Sequence, residues 1–467
     1  MSALSTRGQV VVIGGGISGL ACAYRLFQLG VPVTLLESEA HPGGLIGTAQ
    51  EDGFLFETGP QSFQGIDSLL DLVRDLGLEN HLCQANPRAP RFVLRRGKLE
   101  KIPMSPQAIL GTSLLGAGSR WRVATEALKR TAPPSEEESV AQFVRRKFGH
   151  EILEYLVAPF VSGVYAGDPE KLSLRAAFPT LDQWERSYGS VLRGAMKSRP
   201  PKGAAGQGPP PLCSFDHGMA MLTKTIAAKL GPGVCAGARA DGIVRKDSAG
   251  GIQYEVRFTQ NGRPETLDAS AVVLATPAYT AARLVETIAP SLSRQLSGIA
   301  YAAVAVAGTG YHAHQLAGLD GFGVLVPRSE NFRTLGIIWN SSLFPDRGGE
   351  GRVTLTSFVG GATDTEILEK SDEEILAVVQ DENARILKIT GQPLVSRLWR
   401  HPKALPQYNL GHGHIVEAVR AGERAIPGLF FTGNYLEGPS IGKCAERGSH
   451  VAGAAHDYLR AHSAKSA

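Results

Sequence analysis

Two kinds of apolar pattern run along the chain. The first is the short continuous run. Val10, Val11, Val12 and Ile13 form a β-branched stretch of the kind a parallel strand buried on both faces requires. Residues 272–277 (VVLATP) and 429–434 (LFFTGN) read the same way, and residues 33–37 (VTLLE) form a strand that ends in an acid. The second is helical spacing. It predicts helices over 20–29, 68–78, 216–230, 372–389 and 444–460, and a mostly helical region over 105–196. Residues 91–103 read as a hairpin turning at Arg96-Gly97, and 234–244 and 252–259 as strands. Runs at 302–308, 323–327, 335–339 and 353–359 predict a second sheet. Residues 199–211 (RPPKGAAGQGPPP) are a Pro/Gly-rich loop, and no internal repeat is evident.

Within the helical region, Leu110, Leu114, Ala117, Trp121, Ala124 and Leu128 fall on one helical face, with Arg120, Arg122, Lys129 and Arg130 off it. Two readings stay open: a helix lying on a membrane surface, or an ordinary amphipathic core helix interrupted by Gly111, Gly116 and Gly118.

Composition narrows the class. The 467 residues suggest about three domains. A hydrophobic fraction of 43% fits a globular protein. The net charge of +4 is dispersed, without the basic block that nucleic-acid binding would use. Five scattered cysteines predict reduced thiols and no disulfide framework. The first strand begins by residue 10, which leaves no room for a cleaved leader, and no apolar run reaches a membrane-spanning length. A cytoplasmic protein, peripheral at most on the inner face of the membrane, is expected. His312, His314, His412 and His414 read as strand or turn histidines near a surface, so no metal is expected.

The candidate chemistry begins after the first strand. Gly14, Gly16 and Gly19 have G-x-G-x-x-G spacing. The first permits a tight turn, the second lets a pyrophosphate approach the backbone, and the third lets the next helix pack on the strand. Gly15, Ile17 and Ser18 share that turn, whose N–H groups face phosphates. Glu37, followed by Ser38, stands where a carboxylate accepts hydrogen bonds from ribose hydroxyls. A second glycine pair, Gly43 and Gly44, would lie along a diphosphate, and the E-x-G-P stretch carries Thr58, Gly59 and Pro60. This order resembles the FAD-binding amine oxidase and protoporphyrinogen oxidase superfamily. The resemblance implies noncovalent FAD and a discontinuous α/β fold. Its parts are a Rossmann-type FAD-binding domain (1–86, 212–285, 405–467), a mixed-sheet substrate domain (87–96, 286–404) and a mostly helical, membrane-binding insertion (97–211). Ala240, Gly433, Asn434, Pro439, Ser440 and Ile441 are further FAD contacts it implies, the last ones at the N-terminus of the final helix.

Several stretches resemble the protoporphyrinogen oxidase family more specifically: 89–103, GVYAGDPEKLS (163–173), GFGVLVP (321–327), LPQYNLGH (405–412) and GNYLEGPSIGKC (433–444). The resemblance implies six-electron oxidation of protoporphyrinogen IX by oxygen, with hydrogen peroxide released. It implies Arg91 as the partner of a substrate propionate, with Arg88, Arg95 and Arg96 as neighbouring rivals. Phe322, Gly323, Leu325 and Phe358 would sandwich the macrocycle, and Gly163 and Ala166 would form a small-residue wall. Gln61 stands at a position where relatives have Asn or Arg, with either a catalytic or a positioning role; no general base is expected. His41-Pro42, Leu45 and His401 depart from the family pattern. The same family resemblance makes a homodimer and handover to ferrochelatase conceivable partners. Coproporphyrinogen III oxidation on the same scaffold, or amine oxidation, are the alternative activities.

Overall fold

The continuous apolar runs become the strands that no solvent reaches. In the computed structural model, which describes residues 8–129, 131–198, 210–248 and 251–463, Val10–Ile13 is the central strand of an all-parallel sheet. The strand order is Val234–Cys235, Val33–Leu36, Val10–Ile13, Ala271–Leu274, Leu429–Phe431. Its members come from three distant stretches of chain. The long final helix Ile441–Ser463 packs along the first helix Ile17–Gln28 on one face.

The single strand expected over 234–244 is two. Gly237, at φ +66°, turns the chain out of the parallel sheet, and Ala238–Ser248 joins an antiparallel layer with Gly251–Gln260 and Arg263–Ala269. The last of these is almost entirely exposed, so it carried no apolar signal.

The second sheet has seven strands, in the order Val395–Pro406, Tyr301–His312, Arg352–Gly360, Thr334–Trp339, Gly323–Leu325, Arg91–Arg95, Lys98–Lys101. All neighbours are antiparallel except Gly323–Leu325 and Arg91–Arg95. Both arms of the hairpin lie in this sheet, so the expected break between residues 96 and 97 runs through its turn. Val395–Pro406 was not predicted. It is an edge strand with a mixed surface and a proline, which only an edge tolerates, and it carries the sheet past the expected boundary at 404/405. One face packs Leu94, Val324, Ile337 and Leu355 on helix Asp372–Leu387. The other sets Val93 against the helical insertion.

The insertion is built of short helices. The face expected from 110 to 128 is broken, because the helices Pro106–Gly111 and Ala117–Glu126 are separated by a non-helical link. Leu114 in that link is fully buried, whereas Trp121 and Leu128 are 70% and 76% exposed. One continuous interfacial helix is therefore absent. Arg130, the side chain of Leu110 and most of the 199–211 loop lie outside the described residues.

Candidate active site

Backbone geometry explains the first glycines. Gly14 has φ +109°, and a Cβ there would lie 2.7 Å from the Ala275 carbonyl oxygen. A Cβ on Gly19 would lie 1.9 Å from Gly14 O, so the helix can only rest on the turn this closely with glycine. Gly16, the residue before Ile17 and Ser18, has open space where a Cβ would be, and no side chain caps this helix. Its first N–H groups remain for an anion.

Glu37 is buried at the end of the second strand. Its Oε2 accepts the Gly15 N–H at 2.7 Å, and its Oε1 accepts from Glu39 N (2.8 Å) and Ser38 Oγ (3.1 Å). These bonds fix the carboxylate beside the turn and leave Oε2 a second lone pair. Ala238 N donates to Glu37 O, which brings Ala240 two residues beyond.

The second glycine pair folds onto the first turn. Gly43 N donates to Gly15 O at 2.8 Å, and a Cβ on Gly44 would lie 3.2 Å from Gly16 Cα. The Thr58-Gly59-Pro60 stretch joins them: Thr58 N donates to Gly47 O, and a Cβ on Gly59 would strike Leu45 O at 2.0 Å. His401 Nε2 bonds Thr58 O at 2.7 Å.

The final helix starts at Ile441, three residues before the expected start at 444. Ser440 Oγ accepts Lys443 N at 3.3 Å, with Pro439 just before it. Upstream, Gly433 has φ +150° and Asn434 O accepts the Tyr408 hydroxyl. A Cβ on Gly448 would lie 2.2 Å from Ser18 O. The N-terminal half of the final helix thus crosses the N-terminal turn of the first.

The register of the seven-stranded sheet assembles the other half of the site. Val93, Leu325, Gly336, Phe358 and Val306 stand directly opposite one another across five strands. Two residues along, and so on the same face, come Arg91, Gly323, Ile338 and Thr356. Helix Ala158–Tyr165 covers this face. A Cβ on Gly163 would lie 2.7 Å from Leu325 Cδ2, and Gly336 likewise leaves room beside that leucine. Ala166, in the left-handed conformation at φ +48°, ends the helix and packs with Phe358, Ala302 and Val304.

Arg91 lies at the rim. It is exposed, its guanidinium sits 5.1 Å from the centroid of the Phe322 ring, and it has no carboxylate partner among the described residues. Its rival Arg95 is occupied, bonding Glu151 Oε1 at 3.0 Å and Ser113 O at 2.6 Å.

Gln61 joins the two halves. Its Nε2 donates to Glu57 O (3.1 Å) and Gly59 O (2.8 Å). Its Oε1 accepts from Asn340 Nδ2 (2.7 Å) and Thr356 Oγ1 (2.9 Å). Both donors and both acceptor sites of the amide are filled by protein. Asn340 and Thr356 lie 279 and 295 residues away in sequence, so no local pattern could reveal them.

Two glycine loops on a parallel sheet, a fixed carboxylate and two crossing helix N-termini form a cradle that suits a dinucleotide, and it abuts an apolar face. The profile of the flavin-containing amine oxidoreductase family matches residues 17–456. The chain belongs to that family. A chloroplastic protoporphyrinogen oxidase of Oryza sativa is 37% identical over 96% of this chain and 88% of its own length. A coproporphyrinogen III oxidase of Bacillus subtilis is 31% identical over 96% and 98%. A crystal structure assigned as a protoporphyrinogen oxidase from Exiguobacterium sp. 255-15 superposes with TM-score 0.80 at 24% identity, covering 97% of this chain and 99% of that one, which shows the fold.

This member of the amine oxidoreductase family is an FAD-dependent oxidase. The cradle fits the cofactor by its open space at Gly16 and its fixed acid at Glu37. Among the described residues no helix is long and apolar enough to cross a membrane. The histidines weighed from sequence do not converge on the site: His312 and His314 stack on each other at 5.2 Å, and buried His412 bonds Tyr435 O. Burial holds its imidazole below the usual histidine range.

Proposed function

We propose that this oxidase converts protoporphyrinogen IX to protoporphyrin IX, with oxygen reduced to hydrogen peroxide. The observation that carries this reading is an exposed cation, Arg91, without a carboxylate partner among the described residues, at the rim of an apolar face whose central row holds a glycine. A large apolar macrocycle with propionates at one end needs an apolar bed, close approach to backbone and an anchoring charge. Leu325 and Phe358 would make the bed, Gly163, Ala166 and Gly336 the close approach, and Arg91 stacked on Phe322 the anchor. When bound, FAD would supply the two-electron acceptor for each of three successive oxidations, with oxygen as the final acceptor. Gly14 to Gly19, Gly43 and Gly44 would hold the diphosphate, Glu37 the ribose, and the Gly433 to Ile441 stretch the flavin end. Gln61 would hold the Gly59-Pro60 turn at a set distance from Thr356 rather than exchange protons.

The 34–37% identity to plant protoporphyrinogen oxidases supports the two-propionate substrate. The matches to coproporphyrinogen III oxidases support the four-propionate alternative on the same scaffold. The test is turnover of both porphyrinogens by the purified yellow protein, followed by porphyrin fluorescence and peroxide release. Faster turnover of protoporphyrinogen IX is expected. Faster turnover of coproporphyrinogen III would move the reading to that substrate. Oxidation of polyamines without oxidation of either porphyrinogen would overturn it.

A further inference from the structure

One corner of the molecule gathers side chains that the proposed oxidation does not use. His81 ends the short turn Glu79–His81 and leads into strand Leu82–Gln84, which pairs antiparallel with Leu212–Phe215. Leu82 stands opposite Phe215, so the same register sets His81 opposite Asp216. The backbone continues the pairing, with Asp216 N donating to His81 O at 3.0 Å. Asp216 Oδ2 lies 2.9 Å from His81 Nδ1, and Asp216 Oδ1 accepts the backbone N–H of His217 at 2.7 Å. The two imidazole rings are 6.0 Å apart between centroids. One ligand atom from each of His81, Asp216 and His217 can be chosen so that all lie within 4.8 Å of one another. His81 and Asp216 are half-buried and His217 is exposed, so an ion could reach them.

We propose that His81, Asp216 and His217 bind one divalent transition-metal ion of the zinc class, with solvent completing its shell. Two imidazoles and one carboxylate are a donor set of intermediate softness. Such a set prefers zinc, nickel or copper over magnesium or calcium. Tetrahedral bonds of about 2.0–2.2 Å place donors about 3.4 Å apart, so His81 and Asp216 would exchange their 2.9 Å contact for bonds to the ion while His217 moves inward. The exposed His217 ring is free to swing inward, while sheet register already fixes the backbone of His81 and Asp216. Arg347, the guanidinium that interacts with Asp216, is itself paired with Glu57 and bonded to Ser214. The ion would staple the start of strand Leu82–Gln84 to the 216–219 turn. That turn ends with Met219 N donating to Glu57 Oε1 at 3.0 Å, two residues before Gly59-Pro60.

The test is isothermal titration of tag-free, chelator-treated holoenzyme with zinc chloride, and with magnesium chloride in parallel. One equivalent of zinc should bind, magnesium should give no saturable heat, and zinc should raise the Tm. His81→Ala and His217→Ala should each weaken zinc binding by at least about tenfold, since even outer residues of metal sites cost that much. Both should abolish the zinc-dependent rise in Tm while the flavin absorbance per chain stays unchanged, which reports an intact fold. Zinc binding undiminished in the His81→Ala/His217→Ala double variant would overturn the proposal. So would the lack of saturable zinc binding by the unaltered protein.

Discussion

Arg91 and Gln61 are both polar residues at the candidate site, but they differ in what their groups still have to offer. Arg91 has donors with no carboxylate to receive them among the described residues, so removing its charge should be felt by a ligand and not by the fold. Arg91→Ala should raise KM for the porphyrinogen roughly tenfold or more with a smaller effect on kcat. This is the signature of a remote charge-assisted contact worth about 1.5–3 kcal/mol. An unchanged KM in steady-state assays would remove Arg91 from the site. Gln61 has nothing left to offer, because four protein groups already consume its amide. Gln61→Ala would leave buried partners unpaired and should cost about 1–3 kcal/mol of stability by urea denaturation, with kcat falling and its pH profile keeping its shape. Full stability combined with lost turnover would restore a direct chemical role. The sequence marks both positions, yet only the partners distinguish an anchor from a strut.

Among elements, the crossing of the first and final helices decides the most. The two helices approach so closely that Gly448 faces the carbonyl of Ser18 with no room for a methyl group. Gly448→Ala must push the helices apart. It should lower stability by about 1–3 kcal/mol and reduce the flavin retained on purification, measured as the absorbance ratio of flavin to protein. Unaltered flavin content would mean that the crossing does not shape the cradle. The same scale explains an expectation that failed. Apolar residues at helical spacing from 110 to 128 suggested one face, but the link between two short helices sends Leu114 inward and leaves Trp121 and Leu128 outward. Periodicity reports which residues could share a face, and a single break in the helix reassigns all that follow.

Across the whole molecule, a buried ion pair ties the flavin side to the far end of the seven-stranded sheet. Arg347 and Glu57 are almost wholly inaccessible, with Nη1 and Oε1 3.0 Å apart. Burial lifts the Glu57 carboxyl above its usual range despite the guanidinium, and burial lowers Arg347 despite Glu57. Each partner is therefore costly alone. Arg347→Met should destabilise by about 3–5 kcal/mol, and adding Glu57→Leu should recover part of that loss. Additive losses in the double variant would show that the two residues are not coupled. The exposed apolar residues Trp121, Leu128, Phe160, Val164 and Met196 belong to one insertion, which also carries Lys129, Arg193 and Lys197. We propose that this insertion makes peripheral contact with an anionic bilayer through these residues. Trp121→Ser with Leu128→Ser should reduce co-sedimentation with anionic liposomes, and undiminished co-sedimentation would end the membrane reading.

The sequence alone determined the first part of the cradle. Its glycines, the acid after the second strand and the glycine pair lie between residues 14 and 44, and at Gly14, Gly19, Gly43 and Gly44 a positive φ or a close contact leaves no place for a side chain. It determined the buried strands for the same reason, because continuous β-branched runs have few other ways to hide. Only the tertiary structure decided that Arg95 is occupied, because that depends on Glu151 of the helical insertion reaching the hairpin. It alone decided that Gln61 is saturated, that Leu325, Gly336 and Phe358 share a row, and that His81 meets Asp216 and His217. These are contacts between residues up to hundreds of positions apart. Register and packing create them, and no spacing along the chain encodes them.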